Sequence, residues 1–203
     1  MNGVAETIEL MGAVMPIARN TEIFGENEPA EYLYKVVSGA VRTYRVLNDG
    51  RRQIGAFYLP GDVFGLEAGD LHTFSAESIT DSKVMLIKRS SLIALAGRSA
   101  DVARQLWTMA AKELQLAQDH TMLLIKTAQE RVAGFLLEMA KRAHGGDSVE
   151  LPMSRQDIAD YLGLTIETVS RTLTQLENSA TIAVPTSRRI VLRNHAALSR
   201  LNG

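Results

Sequence analysis

From Asp101 to Ala143 the chain contains no proline and a single glycine, Gly134. Such a run admits little but helix, and it divides the chain into a part before it and a part after it. A helix over 101–127 would reach about 40 Å at 1.5 Å per residue, more than one small β domain can cover. Val102, Leu106, Met109, Glu113, Leu116, His120, Leu123 and Thr127 recur at alternating steps of four and three. That is heptad spacing, and it predicts a helix that pairs with its symmetry mate. The simpler alternative packs the stripe on the chain's own sheet. In the paired helix the polar Glu113 and His120 would tune the register or lie at the edge of the seam. A second helix is expected from about Ala128 to Ala143, burying Val132, Phe135, Leu136 and Met139, with Gly145-Gly146-Asp147 ending it.

The part before this run reads as strands. Tyr32–Val37 stops at Ser38-Gly39, and Ala40–Leu47 alternates toward Asn48-Asp49-Gly50, where a tight hairpin needs positive φ. Gln53–Leu59, Phe74–Ile79 and Lys83–Ile87 follow, and strands spaced about ten residues apart predict an antiparallel sandwich or small barrel.

The 203 residues contain no cysteine, which excludes disulfides, thiolate metal sites, Cys-held iron–sulfur clusters and Cys nucleophiles. No apolar run approaches the roughly 18 residues of a membrane helix. The first residues, MNGVAETIEL, show no basic region ahead of an apolar stretch, so no secretory signal is expected and the cytoplasm is the default location. His72, His120, His144 and His195 are isolated in sequence, so spacing predicts no metal site. Ser–His–Asp, P-loop and dinucleotide signatures are absent, and one histidine in the β part falls short of a cupin set, so an enzyme is not expected. The net charge is −1, and from Leu151 onward six basic side chains face four acidic ones. If this chain binds nucleic acid, placed arginines must do it rather than a bulk positive field.

Leu151–Glu177, LPMSRQDIADYLGLTIETVSRTLTQLE, is the informative stretch. Ser154 followed by Asp157 signals a helix start, and Ile158, Ala159 and Leu162 make the buried face of a helix over about 155–162. Gly163 permits a sharp turn, and Thr165 can cap a second helix over about 166–177. Ile166, Val169, Leu173 and Leu176 are expected at its core face, with Glu167, Ser170, Arg171 and Thr174 opposite. Two short helices at a glycine turn match a helix-turn-helix. Arg171 can fork onto guanine O6 and N7, Glu167 can accept from a base amine, and Ser170 can do either. The plainer alternative is a helical hairpin with a wet face, in which Glu167 and Arg171 form an i,i+4 ion pair. Thr181–Val184 and Ile190–Leu192, with Arg188 and Arg189 near their turn, read as a β wing, which favours DNA.

LGLTIETVSRTL, with SRQDIADY before it and a wing after it, resembles the CRP/FNR superfamily of bacterial transcription regulators. Val36-Val37-Ser38-Gly39-Ala40-Val41, Asp49-Gly50-Arg51 and Leu59-Pro60-Gly61-Asp62-Val63-Phe64-Gly65 are similar to that superfamily's β-roll landmarks, in the same order. Glu167, Ser170 and Arg171 match the E-x-x-S-R pattern of the FNR-like branch, and the FixK subgroup is a close match. The resemblance implies an α+β fold in three parts. These are an antiparallel β-roll of cyclic-nucleotide-binding type over 1–98, a dimerisation helix over 99–127, and a winged helix-turn-helix over 128–203. Leu106, Met109, Glu113, Leu116, His120 and Leu123 are then the expected seam. Glu167, Ser170 and Arg171 are expected at bases, and Ser154, Thr165, Thr168, Arg188 and Arg189 at the DNA backbone. The implied function is a homodimeric activator on palindromic TTGAT-type sites, with double-stranded DNA and RNA polymerase as partners and no membrane. Cyclic-nucleotide binders of the superfamily grip phosphate with an arginine where this chain has Phe74, so no cofactor is expected. The alternative is an effector-gated regulator, using a cyclic nucleotide or haem, on the same scaffold. His72 is most simply a loop histidine.

Overall fold

The computed structural model describes residues 12–143 and 146–202; the MNGVAETIEL segment, His144 and Gly145 lie outside them. The chain divides into two compact units, with the division between Ala117 and Gln118.

The first unit contains β1 (Ala13–Ile17), β2 (Glu22–Phe24), β3 (Tyr32–Ser38), β4 (Val41–Val46), β5 (Arg52–Tyr58), β6 (Val63–Phe64), β7 (Ser75–Ser78) and β8 (Ser82–Lys88). They form two antiparallel sheets ordered β1-β8-β3-β6 and β2-β7-β4-β5. Alternation along each strand turns Phe24, Tyr34, Val36, Val41, Tyr58, Phe64, Ala76 and Val84 into one core. Its aromatic centre is a tilted pair, Phe24 and Tyr34 at 5.0 Å, with Phe64 stacked 5.1 Å from Tyr34. The β4–β5 turn closes through Gly50 N to Leu47 O at 2.9 Å. There Asp49 accepts from the amide and guanidinium of Arg51, and these bonds hold its carboxyl below the ordinary carboxylate range.

The five strands read from sequence are present. β1, β2 and β6 are additional, short or largely exposed pieces whose pairing carries them rather than their pattern.

Three helices follow: α1 (Arg89–Ala96), α2 (Ala100–Leu124) and α3 (Ala128–Ala143). The expected helix over 101–127 therefore stops three residues early. Thr127 and Glu130 form a capping box: Thr127 N and Oγ1 donate to Glu130 Oε2 at 2.7 and 2.6 Å, and Glu130 N donates back to Thr127 Oγ1 at 3.4 Å. Thr127 thus starts α3 instead of continuing α2.

The heptad stripe also has neighbours within the chain, and most of it is half-buried there. Val102 is 2% exposed and packs with Leu33, Ile87 and Leu92, and Leu106 and Met109 lie against the same cluster. Glu113 accepts a 2.6 Å bond from the Tyr58 hydroxyl, and burial beside that carboxylate pushes the phenol well above its ordinary pKa. Leu116 lines a cavity of about 100 Å³ with Tyr58, Val63 and Met109. His120 stacks on Tyr161 at 3.9 Å, and Leu123 is 7% exposed. The stripe meets the chain's own body. The apolar side chains of α2 left in solvent are Trp107, Leu114 and Met122, at 75, 60 and 58% exposure. Ile125, just past the helix end, is 74% exposed. Trp107, Ala110, Leu114, Ala117 and Thr121 also step three and four, in a second heptad phase.

The second unit adds β9 (Ser148–Glu150), α4 (Arg155–Leu162), α5 (Ile166–Asn178), β10 (Ile182–Ala183), β11 (Arg189–Leu192) and α6 (His195–Asn202), with a sheet ordered β10-β11-β9. Val132, Phe135, Leu136 and Met139 of α3 are buried, as the spacing requires. The closing helix α6 was not expected. It buries Leu198 and brings Asn202 to Gly134, where a Cβ would come within 2.6 Å of Asn202 Oδ1 and 2.7 Å of Leu123 Cδ1. That close approach explains the one glycine of the helical run. Among the described residues no helix is long and apolar enough to cross a membrane, and no three His, Asp or Glu cluster as a metal site would need.

Candidate nucleic-acid interface

The site is built on two capped helices. Ser154 Oγ accepts from Asp157 N at 3.1 Å, while Asp157 Oδ2 accepts from Ser154 N at 2.9 Å and from Ser154 Oγ at 2.8 Å. This reciprocal cap fixes the start of α4. Helix α4 ends on Gly163, at φ 60° and ψ 40°, a left-handed cap that suits glycine and turns the chain into α5 within three residues. Thr165 Oγ1 accepts from Thr168 N at 3.2 Å and caps α5.

Helix α5 buries Val169, Thr172, Leu173 and Leu176. Ile166 departs from the expected core face: it is 37% exposed, and Thr172 occupies the core instead, bonding its hydroxyl to Thr168 O at 2.9 Å. Ile166 is the first helical residue, and it stays in solvent although its spacing fits the core. Glu167, Arg171 and Thr174 are exposed and Ser170 is half-buried, so one face presents Ile166, Glu167, Ser170 and Arg171. Glu167's carboxyl lies below its usual range, first through its own amide, then through the Thr165 hydroxyl, with Arg171 a lesser contributor.

Arg155 was not singled out in the sequence. From the first turn of α4 its Nη1 donates to Ser170 Oγ at 3.4 Å, adding a cation beside the presented face. Its place after the capping serine was the available signal.

The other expected backbone contacts sit differently from one another. Thr165 and Thr168 lie at the α5 N-terminus with hydroxyls 3.1 Å apart, where free amides and the helix dipole favour a phosphate. Ser154's hydroxyl is engaged by Asp157. Arg188 donates from Nη1 to Pro152 O, and its own carbonyl accepts from Leu151 N at 2.7 Å, so it ties the wing to the strand before α4. Arg189 is exposed and donates from Nε to Ser148 Oγ at 3.1 Å.

In the first unit, the loop between β6 and β7 closes on itself. Glu67 accepts from Thr73 N at 3.2 Å and from Thr73 Oγ1 at 3.1 Å, and His72 Nδ1 lies 3.4 Å from its carboxylate. His72 is a core residue, 1% exposed and stacked on Phe24 at 3.5 Å. The Phe74 ring faces the Arg45 guanidinium at 5.1 Å.

A two-sheet β-roll, a long helix and a winged helix-turn-helix with an arginine-bearing second helix define a DNA-binding transcription regulator. Comparison with known proteins narrows the class. A profile for the Crp-like helix-turn-helix domain matches residues 130–201, and one for the cyclic nucleotide-binding domain matches 14–99. The nitrogen fixation regulation protein FixK of Azorhizobium caulinodans is 52% identical over 98% of this chain and 82% of its own length. FixK of Rhizobium meliloti is 42% identical over 89% of this chain and 82% of its own length. The solved structure of FixK2 from Bradyrhizobium japonicum superposes with a TM-score of 0.91 at 55% identity, covering 95% of this chain and 98% of that one. The chain belongs to the FixK group of the CRP/FNR family.

Proposed function

We propose that this regulator works as a homodimeric activator on two-fold TTGAT-type sites, without a small-molecule effector, and that nitrogen-fixation genes are among its targets. The presented face of α5 carries the reading: Glu167, Ser170 and Arg171 share it, ahead of a wing. Ile166 adds an apolar group able to meet a thymine methyl. The relatives' names, nitrogen fixation regulation proteins, support the target class. Pairing along the outer stripe of α2 is supported by Trp107 and Leu114, exposed at 75 and 60% in the single chain. Activation needs RNA polymerase, and the exposed β4–β5 turn, Asn48–Arg51, is a free surface for it.

Effector independence rests on charge. A nucleotide phosphate would have to enter a loop whose Thr73 amide and hydroxyl already serve the Glu67 carboxylate. It would meet a like charge there, and the guanidiniums beside the loop are already engaged, Arg45 by Glu26 and Thr73 O and Arg89 by Glu67 O and Gly69 O.

Binding-site selection from random DNA at a stated salt concentration tests the reading, and a two-fold motif with TTGAT-type half-sites is expected. Failure to enrich a two-fold motif overturns it. Heat on titration with cyclic AMP or cyclic GMP overturns the effector independence.

The two wing arginines separate in the same assay. Arg189→Ala is expected to weaken binding to all sequences and reduce the salt slope by about one, the signature of a single lost phosphate contact. Arg188→Ala removes the donor to Pro152 O and is expected chiefly to lower stability, by roughly 1 kcal/mol. Equal slopes in parent and Arg189→Ala would remove Arg189 from the backbone contacts.

A further inference from the structure

His120 stands in α2 as a polar interruption of its apolar stripe. Its ring lies parallel to Tyr161, 3.9 Å between centroids and 5° between planes, and its Nε2 is 2.7 Å from Tyr161 O. A backbone carbonyl only accepts, so Nε2 carries the hydrogen. The neighbouring carbonyl has a partner of the same kind: Arg131 Nη1 donates to Leu162 O at 2.8 Å and reaches Gly163 O at 3.4 Å. Arg131 Nε donates to Lys126 O, at the α2–α3 joint, at 2.8 Å. Tyr161 and Leu162 close α4, where carbonyls lack intrahelical partners and the helix dipole favours cationic donors. Tyr161 is further pinned through its hydroxyl to Glu138 of α3, and burial beside that carboxylate pushes the phenol well up.

We propose that His120 and Arg131 are positioning residues for DNA reading, because they cap the end of α4 from the end of α2 and from the joint. Gly163 then carries α5 directly from that capped end, so the caps set where the recognition helix stands relative to residues 118–124, the end of α2 that belongs to the same unit. The claim rests on the dimeric reading. With α2 as the pairing helix, the caps fix the distance between the two recognition helices, and that distance is read as half-site spacing.

The test compares two-fold sites whose central spacer is shortened or lengthened by one base pair. The proteins are the full-length parent, His120→Phe and Arg131→Met. The first variant keeps the ring stack and removes the donor; the second keeps the aliphatic stem and removes both caps. Light scattering and melting curves confirm that each is a folded dimer. The parent is expected to prefer one spacer by on the order of tenfold, and each variant to fall within about threefold across spacers, since His120→Phe loses the bond to Tyr161 O and Arg131→Met loses those to Leu162 O, Gly163 O and Lys126 O. Variants that melt lower yet keep the parent's spacer profile would reduce both residues to ordinary structural roles and overturn the proposal. A parent indifferent to spacing would overturn the dimeric reading itself, and the positioning claim with it.

Discussion

Leu114→Asp is expected to leave the chain folded and to abolish dimer formation at micromolar concentration. Leu114 is 60% exposed in the single chain, so the substitution removes no intramolecular packing of consequence. In a symmetric seam it places two carboxylates against each other and forfeits two leucine burials. At about 1.5–3 kcal/mol per buried leucine, a loss near 4 kcal/mol weakens pairing on the order of a thousandfold. Binding to a two-fold site should fall with it, because each monomer then holds only one half-site. Leu116→Asp is the informative control. Leu116 is half-buried and lines a pocket with Tyr58, Val63 and Met109, so the charge meets the chain's own apolar side chains. It should lower the melting temperature and leave the oligomeric state dimeric. Light scattering distinguishes the two, and a dimeric Leu114→Asp would remove the outer stripe from the interface.

That pair of variants marks where sequence patterning reached its limit. Helix α2 carries two heptad phases. The phase bearing Leu106, Met109, Leu116 and Leu123 is the more apolar one, and it packs on the chain's own body. The phase bearing Trp107, Ala110, Leu114 and Ala117 is rich in small residues, which contribute little to an apolar pattern yet allow close helix approach. Spacing fixes a face and not its neighbour, so neither phase names its partner in the sequence. The break after Leu124 was more accessible: Thr127 and Glu130 stand three apart, the spacing of a capping box, inside a run that otherwise reads as continuous helix. The helix-turn-helix was legible because its determinants are local, with a serine cap, a glycine turn and a threonine cap within a dozen residues. The short strands β1, β2 and β6, the Arg155–Ser170 bond and the Arg188–Pro152 tie depend on residues far apart in sequence, and no periodicity carries them.

Arg171→Ala is expected to cost about 1–3 kcal/mol in binding to the selected site and to relax the preference at one base pair in each half-site. Arg171 is exposed on the face of α5 opposite Val169, Leu173 and Leu176, so its loss leaves the fold of the unit unchanged. Its guanidinium can offer two parallel donors to guanine O6 and N7, which no other base presents in that arrangement. The Glu167 carboxyl is held low first by its own amide and the Thr165 hydroxyl, with Arg171 a lesser contributor. Arg171→Lys should restore charge, and with it part of the non-specific affinity, but not the base preference, because an ammonium is a point donor rather than a planar fork. If Arg171 were instead a solvated partner of Glu167, its removal would cost a few tenths of a kcal/mol in stability, roughly the value of an i,i+4 pair, and would leave the motif intact. Selection of sites from random DNA by the parent and by each variant, at one salt concentration, decides between these. Identical motifs for parent and Arg171→Ala would move base reading away from Arg171 to Ile166, Glu167 and Ser170, the remaining members of the same face.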